Sequence, residues 1–294
     1  SKRKWPLGDG TSEKRYCGRT VKTHHVVDQA IEREVDLLPR RDIQDALDYW
    51  VALNGNDPPA TSEPSEDQFT GLWEVVSDGG APNVDFAVWG NKEYCESRKP
   101  RLRGLRPTED GLWAPVELTG PPTHAVWMEC ASVWRVAVTS LRILTMSAVD
   151  EYSERIAYYV RLYGSCCWHI ILKADMKARS DQWERSRRQC ARSHAKGRNT
   201  EYDPDWPWEE SLRHLLADQE FWNANVTMPC VLVAAYSAAH TRVVRAGAAD
   251  SSAEDLPVPQ LAKQTQSGEQ DLSEKNPAGH YLKNRKGVPL LSGF

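Results

Sequence analysis

The chain has 294 residues, of which 40% are hydrophobic and 27% charged, and its formal net charge is −4. That length carries one large domain or two small ones with a real core, and the composition is that of a globular protein with room for disordered ends. Seven Cys at irregular spacing, no signal-like N-terminal segment and no apolar run near about 18 residues argue against a secreted disulfide scaffold or a membrane protein. An intracellular chain, cytoplasmic or nuclear, with reduced thiols is expected. It starts with Ser and not Met, which fits processing or a piece of a longer protein. The Asn225-Val226-Thr227 sequon is read as chance.

Charge is segregated along the chain. Residues 1–22 are basic, with Lys2, Arg3 and Lys4 at their start. Residues 28–67 are acidic, and basic clusters return at 92–106 and 173–198. Such blocks suit a polyelectrolyte partner or self-association, and an ordinary solvated surface is the competing reading.

In chain order, residues 1–23 read as a basic flexible arm and 24–68 as short helices and a linker. A β-region plus helical core follows over 69–245, then a disordered tail over 246–294. Helices are expected at 24–38 and 41–53, with Gly55 as the stop of the second. Trp73–Val76, Phe86–Trp89, Arg101–Arg106 and Leu112–Leu118 are candidate strands, the last two forming a hairpin. Gly79-Gly80 and Asp110-Gly111 are turn signals.

Pro121-Pro122-Thr123 opens a helical pattern in which Trp127, Ala131, Trp134, Val138, Leu141 and Thr145 share a face. A second helix runs from about 149 to Gly164, and a third from Cys166 to Gly197. Further helices are expected near 207–217, 218–225 and 229–243. The fold class is therefore mainly α: a Trp-rich helical bundle preceded by a small β-hairpin region. Its expected core includes Trp127, Trp134, Leu141, Trp168, Ile171, Leu172, Trp183, Trp208 and Trp222. About four-fifths of the twelve Trp are read as core. Trp5, beside the N-terminal lysines, is a candidate for base stacking.

The third helix carries the most functional information. At 100° per residue, Lys173, Lys177, Arg185, Arg188 and Arg192 fall within about a third of its circumference. Trp168, Ile171, Leu172, Ala178, Trp183 and Cys190 lie opposite. The basic stripe suits phosphate contact with counterion release, against the plainer reading of a solvated Arg-rich face. Asp175 and Arg179, four apart on the apolar side, are expected to pair.

Other chemistry fits less well. Cys166-x-x-His169 and Cys190-x-x-x-His194 have zinc-ligand types, but on one helix the pairs would sit about 30 Å apart. A nucleophilic site at Cys166, His169 and Asp175 lacks helical alignment. No Gly-rich phosphate loop, H-E-x-x-H or G-x-S-x-G pattern occurs. Glu209-Glu210 and Asp203/Asp205 are explained by capping, and His24-His25 by a helix start. No cofactor and no metal are expected.

Several stretches carry a family likeness. They are Val88-Trp89-Gly90, Gly111-Leu112-Trp113, Gly120-Pro121-Pro122-Thr123-His124-Ala125-Val126-Trp127, Val133-Trp134-Arg135-Val136, Asp150-Glu151-Tyr152, Trp168-His169-Ile170-Ile171, Pro207-Trp208 and Glu220-Phe221-Trp222. With the tail Gly279–Leu290, their order resembles the Gag-like N-terminal region of dinoflagellate retrotransposon-type polyproteins. In such polyproteins the tail leads into a Cys/His zinc finger; here Leu291 stands where Cys is expected. The resemblance implies a non-enzymatic, element-encoded protein that handles nucleic acid or assembles on it; the expected partners are nucleic acid, RNA ahead of DNA, and further copies of the chain in a homo-oligomer. A protein-interaction scaffold without nucleic-acid binding is the alternative, and an enzyme with a site at Cys166/His169/Asp175 the weaker one.

Overall fold

The computed structural model describes residues 19–90, 101–107 and 113–235, which are mainly α-helical with two small antiparallel strand pairs. Short strands β1 (Thr20–Lys22) and β2 (Glu34–Asp36) pair with Val21 opposite Val35. Between them lies the four-residue helix α1 (Thr23–Val26). The helix expected over 24–38 is therefore one turn followed by a strand. The Thr23 hydroxyl accounts for this locally: it is buried and donates to the Ile31 and Arg33 carbonyls, folding the segment back on itself.

Helix α2 (Arg40–Asn54) forms as the sequence predicts. It buries Ile43, Ala46 and Trp50 and ends on Gly55 at φ 76°, a left-handed position that suits glycine. Helix α3 (Glu66–Ser77) corrects the strand expected at Trp73–Val76. Ser65 and Gln68 build a capping box: the Gln68 N–H donates to Ser65 Oγ at 3.2 Å, and the Ser65 N–H donates to Gln68 Oε1 at 2.9 Å. The helix closes with the Gly79 and Gly80 N–H groups on the Val76 and Val75 carbonyls, both at 2.9 Å. Phe86–Trp89 is a turn, held by the Asp85 carboxylate accepting from the Ala87 N–H. It is not a strand.

The hairpin β3 (Arg101–Pro107) and β4 (Trp113–Thr119) has the expected pairing, from Arg101 opposite Thr119 to Pro107 opposite Trp113. Asp110-Gly111 and Leu112 lie outside the described residues. Gly104 lets the hairpin approach the bundle, because a Cβ there would lie 2.3 Å from His169 Cδ2.

The bundle itself consists of α4 (His124–Ser140), α5 (Met146–Tyr163), α6 (Trp168–Lys177), α7 (Trp183–Ala195), α8 (Trp208–Ala217) and the short α9 (Gln219–Trp222). Residues 228–235 are also helical. Thr123 caps α4 and Thr145 caps α5, each through its side-chain oxygen. Thr145 is consequently exposed and leaves the apolar row predicted to end on it. The nine residues expected in the core are each 4% exposed or less. α2 and α3 contribute Ile43, Phe69 and Leu72 to the same core.

Indole N–H groups pin this core to loops and neighbouring helices. Trp134 donates to the Pro82 carbonyl and Trp168 to the Pro121 carbonyl, both at 2.9 Å. Trp183 donates to Ser211 Oγ at 3.0 Å and Trp222 to the Leu215 carbonyl at 3.1 Å. Each buries a large apolar ring and satisfies its one polar atom.

Candidate nucleic-acid interface

The long third helix is two α-helices joined by a π-turn over Ala178–Gln182. A π-turn inserts one residue, so α7 lags a regular helix by about one 100° step. This matters for both faces. Without it, Trp183, Ser186 and Cys190 would drift off the line of Ile171, Asp175 and Ala178. With it, all of them are buried. The same step gathers Lys173, Lys177, Arg185, Arg188 and Arg192 from an arc of about 120° into one of about 80°. All five are exposed.

These cations differ from others nearby in having few partners. Among the described residues, only Lys177 of the five holds a hydrogen bond, to Asn225 Oδ1 at 3.0 Å, with its ammonium 6.0 Å from the Phe221 ring centre. Arg187, off the stripe, is instead committed. It pairs with Glu184 at 2.5 Å and lies over the Trp208 ring. Arg213 likewise pairs with Glu209 at 2.6 Å. The stripe is thus a row of cations without an acidic partner among the described residues. Lys2, Arg3, Lys4 and Trp5 lie outside the described residues.

Beneath the stripe, the predicted Asp175–Arg179 pair is present and fully buried. Arg179 Nη2 lies 2.8 Å from Asp175 Oδ2 and Nε 3.1 Å from Oδ1. The sequence did not reveal its partners. Trp127 Nε1 and the Tyr152 hydroxyl donate to the same carboxylate at 2.9 and 2.8 Å. Arg179 also donates to Asn83 Oδ1 at 2.9 Å and to the Val84 carbonyl, and lies 4.1 Å over the Phe86 ring. Burial opposes the guanidinium charge, but Asp175 outweighs it and holds Arg179 above its usual value. Burial, and then Asp175, hold the Tyr152 phenol well above its own. This network anchors α4, α5, α6 and the 83–86 loop to one carboxylate.

That arrangement bears on the other candidates. Asp175 has its oxygens filled by Trp127, Tyr152 and Arg179, so it does not orient His169. The exposed Cys166 thiol points at the Tyr163 carbonyl, 3.5 Å away, and its sulfur is 3.9 Å from that of Cys167. Burial, then Cys166, push the Cys167 thiol up to about 11, and burial, then Glu210, push Cys190 to about 11. Neither is a thiolate near neutral pH. His194 Nδ1 contacts the Asn199 carbonyl at 2.8 Å. Among the described residues, no group of three or more His, Cys, Asp or Glu could hold a metal ion.

No family model, curated protein or solved structure matches this chain. No helix among the described residues is long and apolar enough to cross a membrane.

Beside the stripe, periodicity gave no hint of a groove of about 530 Å³. Lys177, Gln182, Arg185 and Gln189 form one wall, and His214, Asp218, Glu220, Phe221 and Asn225 the other. It arises from the packing of α7 against α8 and of α6 against residues 223–227, long-range contacts with no local signal.

Proposed function

We propose that this chain is a non-enzymatic, Gag-like nucleic-acid-binding module of a retroelement-derived protein, with RNA its preferred partner. The observation that carries the reading is the row Lys173, Lys177, Arg185, Arg188 and Arg192, exposed along one face of a continuous helix and largely without acidic partners among the described residues. An exposed row of unneutralised cations is suited to a phosphate backbone, because each contact releases condensed counterions. The family resemblance in the Trp-containing stretches supports the same direction. The basic N-terminal residues Lys2, Arg3 and Lys4 add positive charge of the same kind to the chain. Titration of the chain with single-stranded RNA at two salt concentrations tests this. The expected outcome is affinity that falls steeply with salt; negligible binding at low salt would sink the proposal.

The scaffold reading has an observation of its own. Met228, Val231 and Leu232 are 60%, 50% and 46% exposed, and Tyr158 and Leu162 on α5 are 49% and 53% exposed. Apolar side chains this exposed favour contact with another protein surface, including a second copy of the chain. Light scattering that reports a monomer at every concentration would remove homo-assembly.

A further inference from the structure

The groove beside the stripe combines features that the stripe alone does not have. Two of its residues, Lys177 and Arg185, belong to both. They are eight positions apart, about 12 Å along the helix. A strand whose phosphates follow the stripe therefore passes the groove's mouth.

The interior is unsuited to phosphate. Asp218 and Glu220 line it together with Lys177 and Arg185, so the carboxylates offset the cations and the groove lacks the positive excess that holds a phosphate. A neutral, flat, hydrogen-bonding group needs no such excess. The Phe221 ring, 7% exposed, supplies an apolar surface. Gln182 uses one amide hydrogen on Asp218 Oδ2 at 2.7 Å, and its remaining donor and carbonyl are free to face a ligand. The side chains of Arg185, Gln189, His214 and Glu220 hold no hydrogen bond among the described residues and come from three different helices.

The backbone around the groove is irregular on both sides. Gln182 comes from the π-turn at 178–182, while Ala224 and Asn225 come from a second π-turn, Asn223–Thr227. The second lies just before Pro229, which cannot donate to the Asn225 carbonyl four residues back, and the wider turn relieves that clash. The Lys177–Asn225 hydrogen bond ties the end of α6, just before the first π-turn, to the second turn across the groove. The volume lies within the ~300–1,000 Å³ typical of small-ligand sites.

We infer that this groove receives an unpaired nucleobase of a single RNA strand whose backbone lies on the stripe, and that it prefers bases bearing an exocyclic amine. Phe221, 7% exposed, offers an apolar ring edge against which the base rests. Glu220 accepts from the amine, as a carboxylate does from cytosine N4, and Gln189 contacts the base edge. Uracil, with O4 in place of the cytosine N4 amine, meets the Glu220 carboxylate there as acceptor against acceptor. A duplex, with its bases paired and stacked, cannot enter. This inference rests on the nucleic-acid reading above.

The test uses the full chain and four probes at two salt concentrations: oligo-C, oligo-U, an RNA duplex and free cytidine monophosphate. It compares the wild type with Gln189→Ala/Glu220→Gln, both at exposed or half-exposed positions, and circular dichroism verifies the fold. We expect oligo-C to bind about fivefold or more tightly than oligo-U or duplex. The variant should lose that preference while keeping the salt slope, and the free nucleotide should bind far more weakly than the strand. Equal binding of oligo-C, oligo-U and duplex, unaffected by the variant, would overturn the groove while leaving the stripe intact. So would free cytidine monophosphate binding as tightly as the strand. No binding of any probe would overturn both.

Discussion

At the scale of single residues, the Asp175 carboxylate has the largest consequences. It accepts from Trp127, Tyr152 and Arg179 in a site with no exposure. Removing its charge leaves a guanidinium buried without its counterion, and breaking such a pair costs about 3–5 kcal/mol. Asp175→Asn should lower stability by that amount in urea unfolding, and a loss under about 1 kcal/mol would contradict the account. Part of this was legible. Two opposite charges four apart on an apolar helix face must meet each other. The contributions of Asn83, Phe86, Trp127 and Tyr152 come from distant segments and left no local trace. His124 makes a second residue-scale prediction. Its ring stacks on Trp127 with centroids 5.9 Å apart, and its buried Nε2 has no hydrogen-bond partner among the described residues. Burial, then Arg161, hold its pKa below 6.5. The unfolded chain therefore takes up the proton first, and stability is full above pH 6.5 and falls as pH drops below it. His124→Phe should flatten the pH dependence of the unfolding midpoint between about pH 5 and 7. An unchanged profile would remove His124 as its source.

At the scale of elements, the π-turn at 178–182 keeps α6 and α7 in register with the core. Deleting Ser180, which is exposed, would restore a regular helix and rotate Trp183 and Cys190 away from their buried positions by about 100°. The deletion should unfold the protein or lower its thermal midpoint severely. Ser180→Ala should change stability by no more than about 0.5 kcal/mol. Comparable effects of the two would show that the turn carries no register. The sequence could not reveal this turn, because an amphipathic pattern read at 100° per residue tolerates a lag of one residue. Helix α3 was misread for a different reason. Trp73–Val76 has strand-like residue types, yet Ser65-x-x-Gln68 is a capping-box signal standing in the sequence. Its close fit is also testable. A Cβ on Gly71 would lie 2.1 Å from Val27 Cγ2, so Gly71→Ala should destabilise by about 1–3 kcal/mol in denaturant unfolding.

At the scale of the whole molecule, the bundle was legible and the surface only in part. Period-3.6 rows of Trp, Leu and Ile mark a core whatever its partners are. Exposure of the five stripe cations also followed from that periodicity, because they lie opposite the buried rows. Which cations the fold neutralises did not follow. Arg187 and Arg213 pair with acids one turn away, while among the described residues Arg188 and Arg192 have no such pair. The groove needed the packing of α7 on α8, which no segment encodes by itself. The stripe as a phosphate track is the central claim, and the salt dependence of single-stranded RNA binding tests it most directly. Measured for the wild type and for Arg188→Ala/Arg192→Ala, the slope of log affinity against log salt should fall in magnitude by about 1.4, some 0.7 for each lost phosphate contact on a single strand. An identical slope in the two proteins would contradict it.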